Sequence, residues 1–377
     1  MLKAAPQRLG YRAADIPPPI AVEPAHPAVL IAPANSAGQG RLWARALNEY
    51  CGVNAVNLSV DRTGGYSFPS DFRVRDAVFA HSRRWSAAHI SAVRDSITHV
   101  LVESERTVLG VRAGRDVRQE ARALDEWGIH RAYVSHGSDL RDPDIHAQTS
   151  SWSPFRDSSW DLRPMLVEAA VRNRRFLEEQ DPGRVLVATP DLLLDMPAAT
   201  WLPNVVDPAT WALDEPPLTE GPVRVLHAPT NTHIKGSELI ADAVERARAS
   251  GALHYGLVSG VSPDSMPALY AQSDVVLDQF RIGIYSTTAL EALAAGRVVL
   301  GFLLPEVRRL ATQEAGMPVP IVQATPDTIE EVLIDIVERP GHYRQIAAAG
   351  PAFVRALHDG RYSAEVLAER VLGDWAP

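Results

Sequence analysis

Short apolar runs alternate with amphipathic segments along this chain, and the alternation starts again near its middle. The run Ala28–Ala32 precedes a glycine-bearing loop and a predicted helix at Arg41–Tyr50. The run Val223–His227 precedes a polar loop and another predicted helix. Short continuous apolar runs are typical of strands buried on both faces of a parallel sheet. The pattern predicts an α/β protein with two Rossmann-like, doubly wound parallel-sheet domains that face a cleft.

The same pattern predicts the elements and the domain boundaries. The predicted strands lie at 28–32, 53–58, 99–102, 131–134, 184–188, 223–227, 255–258, 275–277 and 297–303. The predicted helices lie at 41–50, 111–127, 166–179, 237–250, 287–295, 326–338, 342–357 and 364–372. These elements predict a proline-rich arm at 1–27, a first domain at 28–204, a linker at 205–222, a second domain at 223–357, and a C-terminal helix at 358–377 that crosses back to the first domain.

The charge balance excludes a general nucleic-acid binder. The chain of 377 residues has 37 basic and 46 acidic side chains and a net charge of −9, whereas such binders carry a basic surplus. Residues 205–377 contribute the whole deficit, with 13 basic and 22 acidic side chains. The single cysteine, Cys51, excludes an internal disulfide and a cysteine-based zinc site. No secretory signal and no apolar run of about 20 residues is visible, which predicts a cytoplasmic protein.

Lysine is scarce: 35 of the 37 basic residues are arginine, and the lysines are Lys3 and Lys235. Lys3 lies in the predicted arm. Lys235 lies in the loop from His227 to Gly236, directly before a predicted helix. Free backbone N–H groups at a helix N-terminus favour an anion, so this lysine is a candidate phosphate ligand. The alternative is an ordinary solvated surface lysine.

The segment from Asp278 to Glu291 has the same character. Ser286, Thr287 and Thr288 offer hydroxyl and N–H groups where a helix is predicted to begin. Glu291 falls one turn into that helix, where a carboxylate can accept hydrogen bonds from ribose hydroxyls. The alternative is an ordinary capping cluster in which Glu291 only favours the helix dipole.

Other kinds of site find little support. The histidines His130, His136, His227 and His233 lack a metal-ligand spacing, so no metal site is predicted. No Gly-x-Ser-x-Gly elbow follows a strand, which argues against a Ser-His-Asp hydrolase. Gly38-Gln39-Gly40 lacks the third glycine of a dinucleotide fingerprint, which argues against a nicotinamide enzyme.

Two surface features have two interpretations each. The arginines Arg115, Arg118 and Arg122 share a predicted helix face. That face suits either peripheral contact with an anionic membrane or acidic acceptor, or solvation with pairing to Asp116, Glu120 and Asp125. The rings of Trp152, Phe155 and Trp160 could either stack on a sugar in a binding subsite or pack into the protein core.

Four segments in order resemble family 4 glycosyltransferases. Asp278–Gly296 resembles the donor-site segment of that family, His227–Gly236 its Lys-Gly phosphate loop, Leu202–Asp207 its inter-domain hinge, and His136–Asp139 its histidine loop. The similarity covers roughly residues 28–372. It implies the GT-B fold, with the acceptor bound by the first domain and the donor by the second.

The resemblance also implies an activity: transfer of a sugar from a nucleotide-diphosphate sugar to an acceptor hydroxyl with retention of configuration, without metal or cofactor. The acceptor is a small molecule, a glycan or a lipid-linked molecule. The implied catalytic residues are His136, Asp139 and Lys235. The implied donor-binding residues are Gly38, Gln39, Gly40, Asn231, Lys235, Gly236, Arg281, Tyr285, Ser286, Thr287, Thr288 and Glu291.

The sequence departs from the family pattern at two places. Gly283 stands where the family has the first glutamate of its glutamate pair, eight residues before Glu291. Residues 230–232 also lack the arginine that usually precedes the phosphate-loop lysine, which leaves Arg281 or His233 to supply that donor. A non-catalytic protein that binds a nucleotide sugar, and a nucleotide-sugar epimerase of the same fold, therefore remain alternatives.

Overall fold

Twelve parallel strands form two separate sheets in a computed structural model that describes residues 10–23, 27–61, 68–249 and 251–373. The first sheet contains β1 (Ala28–Ala32), β2 (Asn54–Asp61), β3 (Phe72–Arg75), β4 (His99–Glu103), β5 (His130–Ser135), β6 (Val185–Val187) and β7 (Thr200–Trp201). Its strand order is β3-β2-β1-β4-β5-β6-β7. Lys3 and part of the predicted arm lie outside the described residues, and Ile20 in the described part is buried.

The second sheet contains five strands. They are β8 (Val223–His227), β9 (Leu253–Leu257), β10 (Val275–Leu277), β11 (Val298–Gly301) and β12 (Ile321–Gln323), in the order β12-β11-β10-β8-β9. All strand pairs in both sheets are parallel among the described residues. Each order reverses once, between β1 and β4 in the first sheet and between β8 and β10 in the second. These reversals are the switch points at which open α/β sheets bind ligands.

Helices cover the faces of both sheets. They are α1 (Gln39–Cys51), α2 (Asp76–His81), α3 (Arg83–Ser96), α4 (Val117–Glu126), α5 (Pro143–Thr149), α6 (Arg163–Leu177), α7 (Pro208–Trp211), α8 (Thr232–Lys235), α9 (Ser237–Ala249), α10 (Met266–Ala271), α11 (Thr287–Ala294), α12 (Pro305–Ala315), α13 (Ile329–Glu338), α14 (Pro340–Ala348), α15 (Gly350–Leu357) and α16 (Arg361–Leu367). A π-helical segment, Ala368–Leu372, follows α16.

The predicted fold class is confirmed, and several element predictions need correction. The helix predicted at 111–127 is a 3-10 turn and then α4, because Gly114 has a φ of 103° and Asp116 caps the new helix. The helix predicted at 342–357 is divided between α14 and α15. The loop predicted before Gly236 contains α8. The strands β3, β7 and β12 were not predicted, since each is a short strand at the edge of its sheet.

Central strands are buried on both faces, which explains their continuous apolar sequences. Every residue of β1 and β4 is buried, as is every residue of β10 and β11. The edge strand β9 instead leaves Leu257 exposed by 53%. The degree of burial of each strand thus follows its position in the sheet.

The C-terminal segment packs on the first sheet although it follows the second. Val366, Leu367 and Val371 share a buried cluster with Val29 and Trp43. The Ser363 hydroxyl also donates to the carbonyl of Pro203 at 2.9 Å. This segment therefore also contacts the residues directly before the linker. None of the helices in the described ranges is long and apolar enough to span a membrane.

Candidate functional site

The switch point of the second sheet holds the predicted phosphate loop. The loop after β8 leads to Lys235, and the loop after β10 leads from Asp278 to Ser286. His227 fixes these loops, because its Nδ1 donates to the carbonyl of Leu277 at 2.9 Å while its Nε2 accepts from the Ser237 hydroxyl at 2.8 Å. Burial lowers the pKa of His227 to about 4, so the ring is neutral and suited to this pair of bonds.

Lys235 is ion-paired rather than solvated. Its Nζ lies 2.7 Å from Asp278 Oδ1 and 2.7 Å from Ser286 Oγ. The lysine side chain is 12% exposed and that of Asp278 only 2%. Ser286 also donates its backbone N–H to Asp278 Oδ2 at 3.0 Å. An ammonium group has three N–H donors, so one is left for a ligand.

The N-terminus of α11 adjoins this ion pair. Ser286 is its N-cap residue, and its hydroxyl faces Asp278 and Lys235 rather than the helix. The first-turn amides, including those of Thr287 and Thr288, have no intrahelical acceptor by the geometry of an α-helix. A positive side chain and a helix N-terminus thus lie next to each other, which is an arrangement suited to a phosphate group.

Glu291 lies one turn further along α11. It accepts a hydrogen bond from the Tyr270 hydroxyl at 2.9 Å. Burial raises the pKa of Glu291 to about 7, although the Tyr270 hydroxyl and the charge of Lys235 lower it in part. The carboxyl group therefore changes its charge close to neutral pH.

A pocket of about 210 Å³ lies between the two sheets and connects the predicted donor residues. Gly38 and Gln39 line it from the first half, and Thr287 and Glu291 from the second half. The structure therefore brings together four of the predicted residues from opposite sides of the cleft.

Two members of the glycine-bearing loop have structural contacts. The Gln39 side chain exchanges two hydrogen bonds with the backbone of Val205, at 3.0 and 2.6 Å, so it holds the linker. A Cβ at Gly40 would lie 2.5 Å from Asn57 Nδ2, which means that α1 needs a glycine here to approach β2.

The switch point of the first sheet holds a buried carboxylate, Glu103. It accepts hydrogen bonds from the backbone N–H groups of Ala34 and Asn35, at 2.9 to 3.0 Å. Its Oε1 also lies 3.1 Å from His136 Nε2, so this nitrogen carries the proton. Glu103 was not among the predicted site residues, although it lies in one of the strand-end loops at which ligands bind in such sheets. The available signal was its place at the carboxyl end of a fully buried strand.

His136 lies between Glu103 and the ring of Trp43. The two rings stack with their centroids 5.4 Å apart. Burial works to lower the pKa of His136, but the hydrogen bond and charge of Glu103, together with the charge of Asp139, raise it above the usual value. Asp139 itself accepts from the backbone N–H groups of His136 and Gly137, at 2.6 to 3.1 Å, and so fixes the loop.

A larger cleft of about 920 Å³ opens beside His136 and Asp139 at the carboxyl edge of the first sheet. Among its lining residues are Glu105 and Arg172 and part of α6. The predicted histidine loop therefore borders a cavity large enough for a small molecule.

Gly283 occupies a position that excludes a side chain. Its φ is +82°, and a Cβ there would lie 2.5 Å from Leu304 Cγ. Leu304 thus fills the space that a glutamate at this position would need. The carboxylate of Asp278, five residues before Gly283, is paired with Lys235.

The side chains of the remaining predicted donor residues are engaged by other residues of the protein. The Tyr285 hydroxyl is bonded to His358 Nε2 at 3.1 Å, and His358 Nδ1 donates to the carbonyl of Asn204 at 2.7 Å. Asn231 caps α8 through the N–H of Ile234. Arg281 packs against Gly236, where a Cβ would lie 3.0 Å from Arg281 Cγ. Its buried Nε has no hydrogen-bond partner among the residues that the structure describes.

The aromatic residues after α5 connect the two halves of the chain. Trp152 packs edge-on against Phe302, and Trp160 packs on the ring of His233, with centroids 5.0 and 4.6 Å apart. His146 Nε2 lies 2.9 Å from the carbonyl of Ile282. These contacts favour the packing interpretation of the tryptophans over a sugar subsite.

The predicted arginine face is interrupted, because Arg115 lies before α4 and Asp125 pairs with Arg131 instead of an arginine of that face. Arg118 pairs with Glu179, a partner that was not predicted. Glu120 is buried and accepts from the N–H groups of Val108 and Leu109, at 2.6 and 3.0 Å. Within the described ranges, no group of three or more His, Cys, Asp or Glu side chains is placed to hold a metal ion.

Comparison with solved structures identifies the fold as GT-B. Sucrose-phosphate synthase from Thermosynechococcus elongatus superposes with a TM-score of 0.58 at 14% identity, covering 91% of this chain and 97% of that one. A glycosyltransferase from Rickettsia africae ESF-5 gives 0.54 at 11% identity, with 90% and 96% covered. HepE from Anabaena, solved with UDP, gives 0.51 at 11% identity, with 91% and 98% covered.

These neighbours in structure are glycosyltransferases, and their resemblance to this chain is one of fold. No protein-family model matches the sequence, and no curated protein matches it in sequence.

Proposed function

We propose that the protein is a glycosyltransferase, similar to family 4, that transfers a sugar from a nucleotide-diphosphate sugar to an acceptor hydroxyl with retention of configuration. The observation that carries this proposal is the cluster of Lys235, Ser286 and the first turn of α11 at the switch point of the second sheet. It supplies a positive charge and N–H donors where a diphosphate would lie.

Each half of the chain has a distinct part in this proposal. Residues 223–357 hold the donor, with Glu291 accepting from ribose hydroxyls, and residues 28–204 hold the acceptor. The segment 205–222 is the hinge. Its neighbour Asn204 is bonded to His358, and Val205 to Gln39. These bonds, together with residues 358–373, couple the hinge to both halves.

The chemistry rests on positioning and charge stabilisation. Lys235 and the α11 amides would stabilise the leaving diphosphate, so the reaction needs no metal ion. His136, whose Nε2–H is directed at Glu103, would lie beside the transferred sugar. Asp139 would act through the loop geometry of His136, since its carboxylate is bonded to backbone N–H groups.

The test is transfer and donor hydrolysis across a panel of nucleotide sugars, with mass spectrometry for products and calorimetry for UDP, GDP and ADP. We expect a nucleotide diphosphate to bind, and turnover to persist in EDTA. Absence of both nucleotide binding and turnover would refute the proposal.

One observation favours a second candidate, a non-catalytic protein that binds a nucleotide sugar. Leu304 fills the space beside Gly283, so the carboxylate that the family pattern places there has no room. Tight nucleotide binding without transfer to any acceptor would support this candidate.

A further inference from the structure

The N-terminal end of helix α6, together with the preceding residue Leu162, carries an apolar stripe on the same side of the helix as its buried residues. Leu162, Met165, Leu166 and Ala169 follow the i, i+3, i+4, i+7 spacing that normally indicates burial. Yet Leu162 is 46% and Met165 57% exposed. The helix is held on the protein by another set of buried residues: Ala170, Asn173, Phe176 and Leu177. The stripe is therefore not needed to dock α6.

The stripe borders the cleft of about 920 Å³ described above. Met165, Leu166 and Ala169 line this cleft together with His136 and Glu105. Helix α6 thus contributes an apolar strip to the wall of the cavity, next to its own polar residues Glu168, Arg172 and Asn173, whereas the floor at the carboxyl edge of the first sheet is polar. A ligand that fits both surfaces has an apolar part and a polar part.

Glu105 is held at the floor in an unusual conformation. Ser104 and Glu105 have φ values of 58° and 52°, in the left-handed region that is uncommon for residues with a side chain. Glu105 is 7% exposed, and its side chain accepts from the Ser135 hydroxyl at 2.8 Å. Its Oε2 is buried and, within the described part of the chain, has no hydrogen-bond partner. Burial and the charge of Asp139 raise the pKa of Glu105 well above its usual value, which favours a neutral carboxyl that can donate as well as accept.

The charges around the stripe do not suit an anionic membrane surface. Residues 161–179 contain four acidic and four basic side chains, which sum to zero. Membrane-surface helices that bind anionic lipids carry a basic surplus. This balance favours a single molecule that enters the cleft.

We propose that the acceptor is an amphipathic small molecule whose hydroxyl-bearing head binds at Glu105 and His136 and whose apolar body lies along Met165, Leu166 and Ala169. This inference rests on the proposed function, because it takes the cleft as the acceptor site. It narrows the acceptor to a hydroxylated head with an apolar tail.

The test uses alkyl β-D-glucosides with methyl, butyl, hexyl and octyl chains, titrated below micelle formation and followed by ligand-observed NMR. A fully buried methylene contributes about fourfold in affinity, so a half-exposed wall gives about twofold per methylene. Octyl glucoside should therefore bind about 100-fold more tightly than methyl glucoside. Binding of UDP, measured separately by calorimetry, reports on the donor side and shows whether the proposed function fails independently.

Variants separate the two parts of the site. Met165→Gln should reduce the gain in affinity with alkyl chain length. Val171 is an exposed apolar residue on the same helix outside the cleft lining, so Val171→Gln should leave that gain unchanged. Glu105→Leu should weaken all four glucosides equally. Glu105→Gln keeps a donor and an acceptor and should bind them as the natural protein does, and thermal unfolding checks that each variant is folded.

Three outcomes would overturn the proposal: an affinity independent of chain length, equal losses in Met165→Gln and Val171→Gln, or flotation with phosphatidylcholine–phosphatidylglycerol vesicles without any preference for octyl glucoside. The last result would assign the stripe to a membrane surface.

Discussion

Lys235 is expected to have two separable roles, one in stability and one in diphosphate binding. Its Nζ lies 2.7 Å from Asp278 Oδ1, and the aspartate is 2% exposed. Lys235→Ala therefore removes a ligand group and also leaves a buried carboxylate without its cation. The variant Asp278→Asn removes that carboxylate and allows the two effects to be distinguished.

The structure sets the size of the stability effect. Breaking a buried ion pair from one side costs about 3–5 kcal/mol. Lys235 keeps 12% exposure, and Ser286 still donates its N–H and hydroxyl to Asp278. We therefore expect Lys235→Ala to lower the free energy of unfolding by about 2 kcal/mol, below the usual range. Loss of one charge-assisted bond, about 1.5–3 kcal/mol, should weaken UDP binding by about tenfold or more.

The assay combines urea unfolding with calorimetric titration of UDP for Lys235→Ala, Asp278→Asn and the double variant. In the double variant stability should return to within about 1 kcal/mol of the natural protein, because no unpaired charge is left. Binding should stay weak. Asp278→Asn alone should bind UDP at least as tightly as the natural protein, since the ammonium group no longer neutralises a neighbour.

The matched control is Arg224→Ala, which breaks another pair in the second sheet. Arg224 lies 2.9 Å from Asp274, at the end of β8 remote from the phosphate loop. It should reduce stability and leave UDP binding unchanged. If the double variant regained full UDP affinity, Lys235 would act only by neutralising Asp278, and its assignment as a phosphate ligand would be wrong.

Three further predictions concern the rest of the site. Gly283→Ala should lower the free energy of unfolding in urea by about 2–4 kcal/mol, because the φ of Gly283 is +82° and an alanine Cβ would overlap Leu304. Adding Leu304→Ala should recover part of that loss. If the effects of the two substitutions were simply additive, the overlap would be contradicted. Glu291 has a pKa of about 7, so UDP should bind more tightly as pH rises from 6 to 8 and the carboxylate forms, and Glu291→Gln should remove this part of the pH dependence in calorimetry. Glu103→Gln should lower the pKa of the His136 imidazole in an NMR titration, since the carboxylate charge raises it; an unchanged value would show that Glu103 has no such effect.

The sequence predicted the architecture because the fold depends on a local signal. Runs such as Ala28–Ala32 are buried on both faces, and this burial requires continuous apolar residues that are visible without any tertiary information. Short edge strands such as β3 and β12 carry a weaker signal, and they were not predicted. Observed helix boundaries differ from the predicted ones where a glycine or a capping residue interrupts the helix, as at Gly114.

The sequence also identified the loops of the site, since these follow the strands. It did not identify the partners of the side chains in those loops. Lys235 and Asp278 are 43 residues apart, and Gln39 and Val205 are 166 apart. Both pairs form only when the sheets and the linker come together.

The sequence by itself therefore determined the α/β class, the repeated sheet pattern and the position of Lys235 directly before helix α9. Only the tertiary structure decided that Lys235 is held by Asp278, that Gln39 and Tyr285 contact the linker and His358, and that Leu304 fills the space beside Gly283. The physical reason is range. The apolar patterns that indicate buried strands and amphipathic helices can be read from residues that are close in sequence. Ion pairs and steric exclusion depend instead on which distant segments the fold brings within a few ångströms.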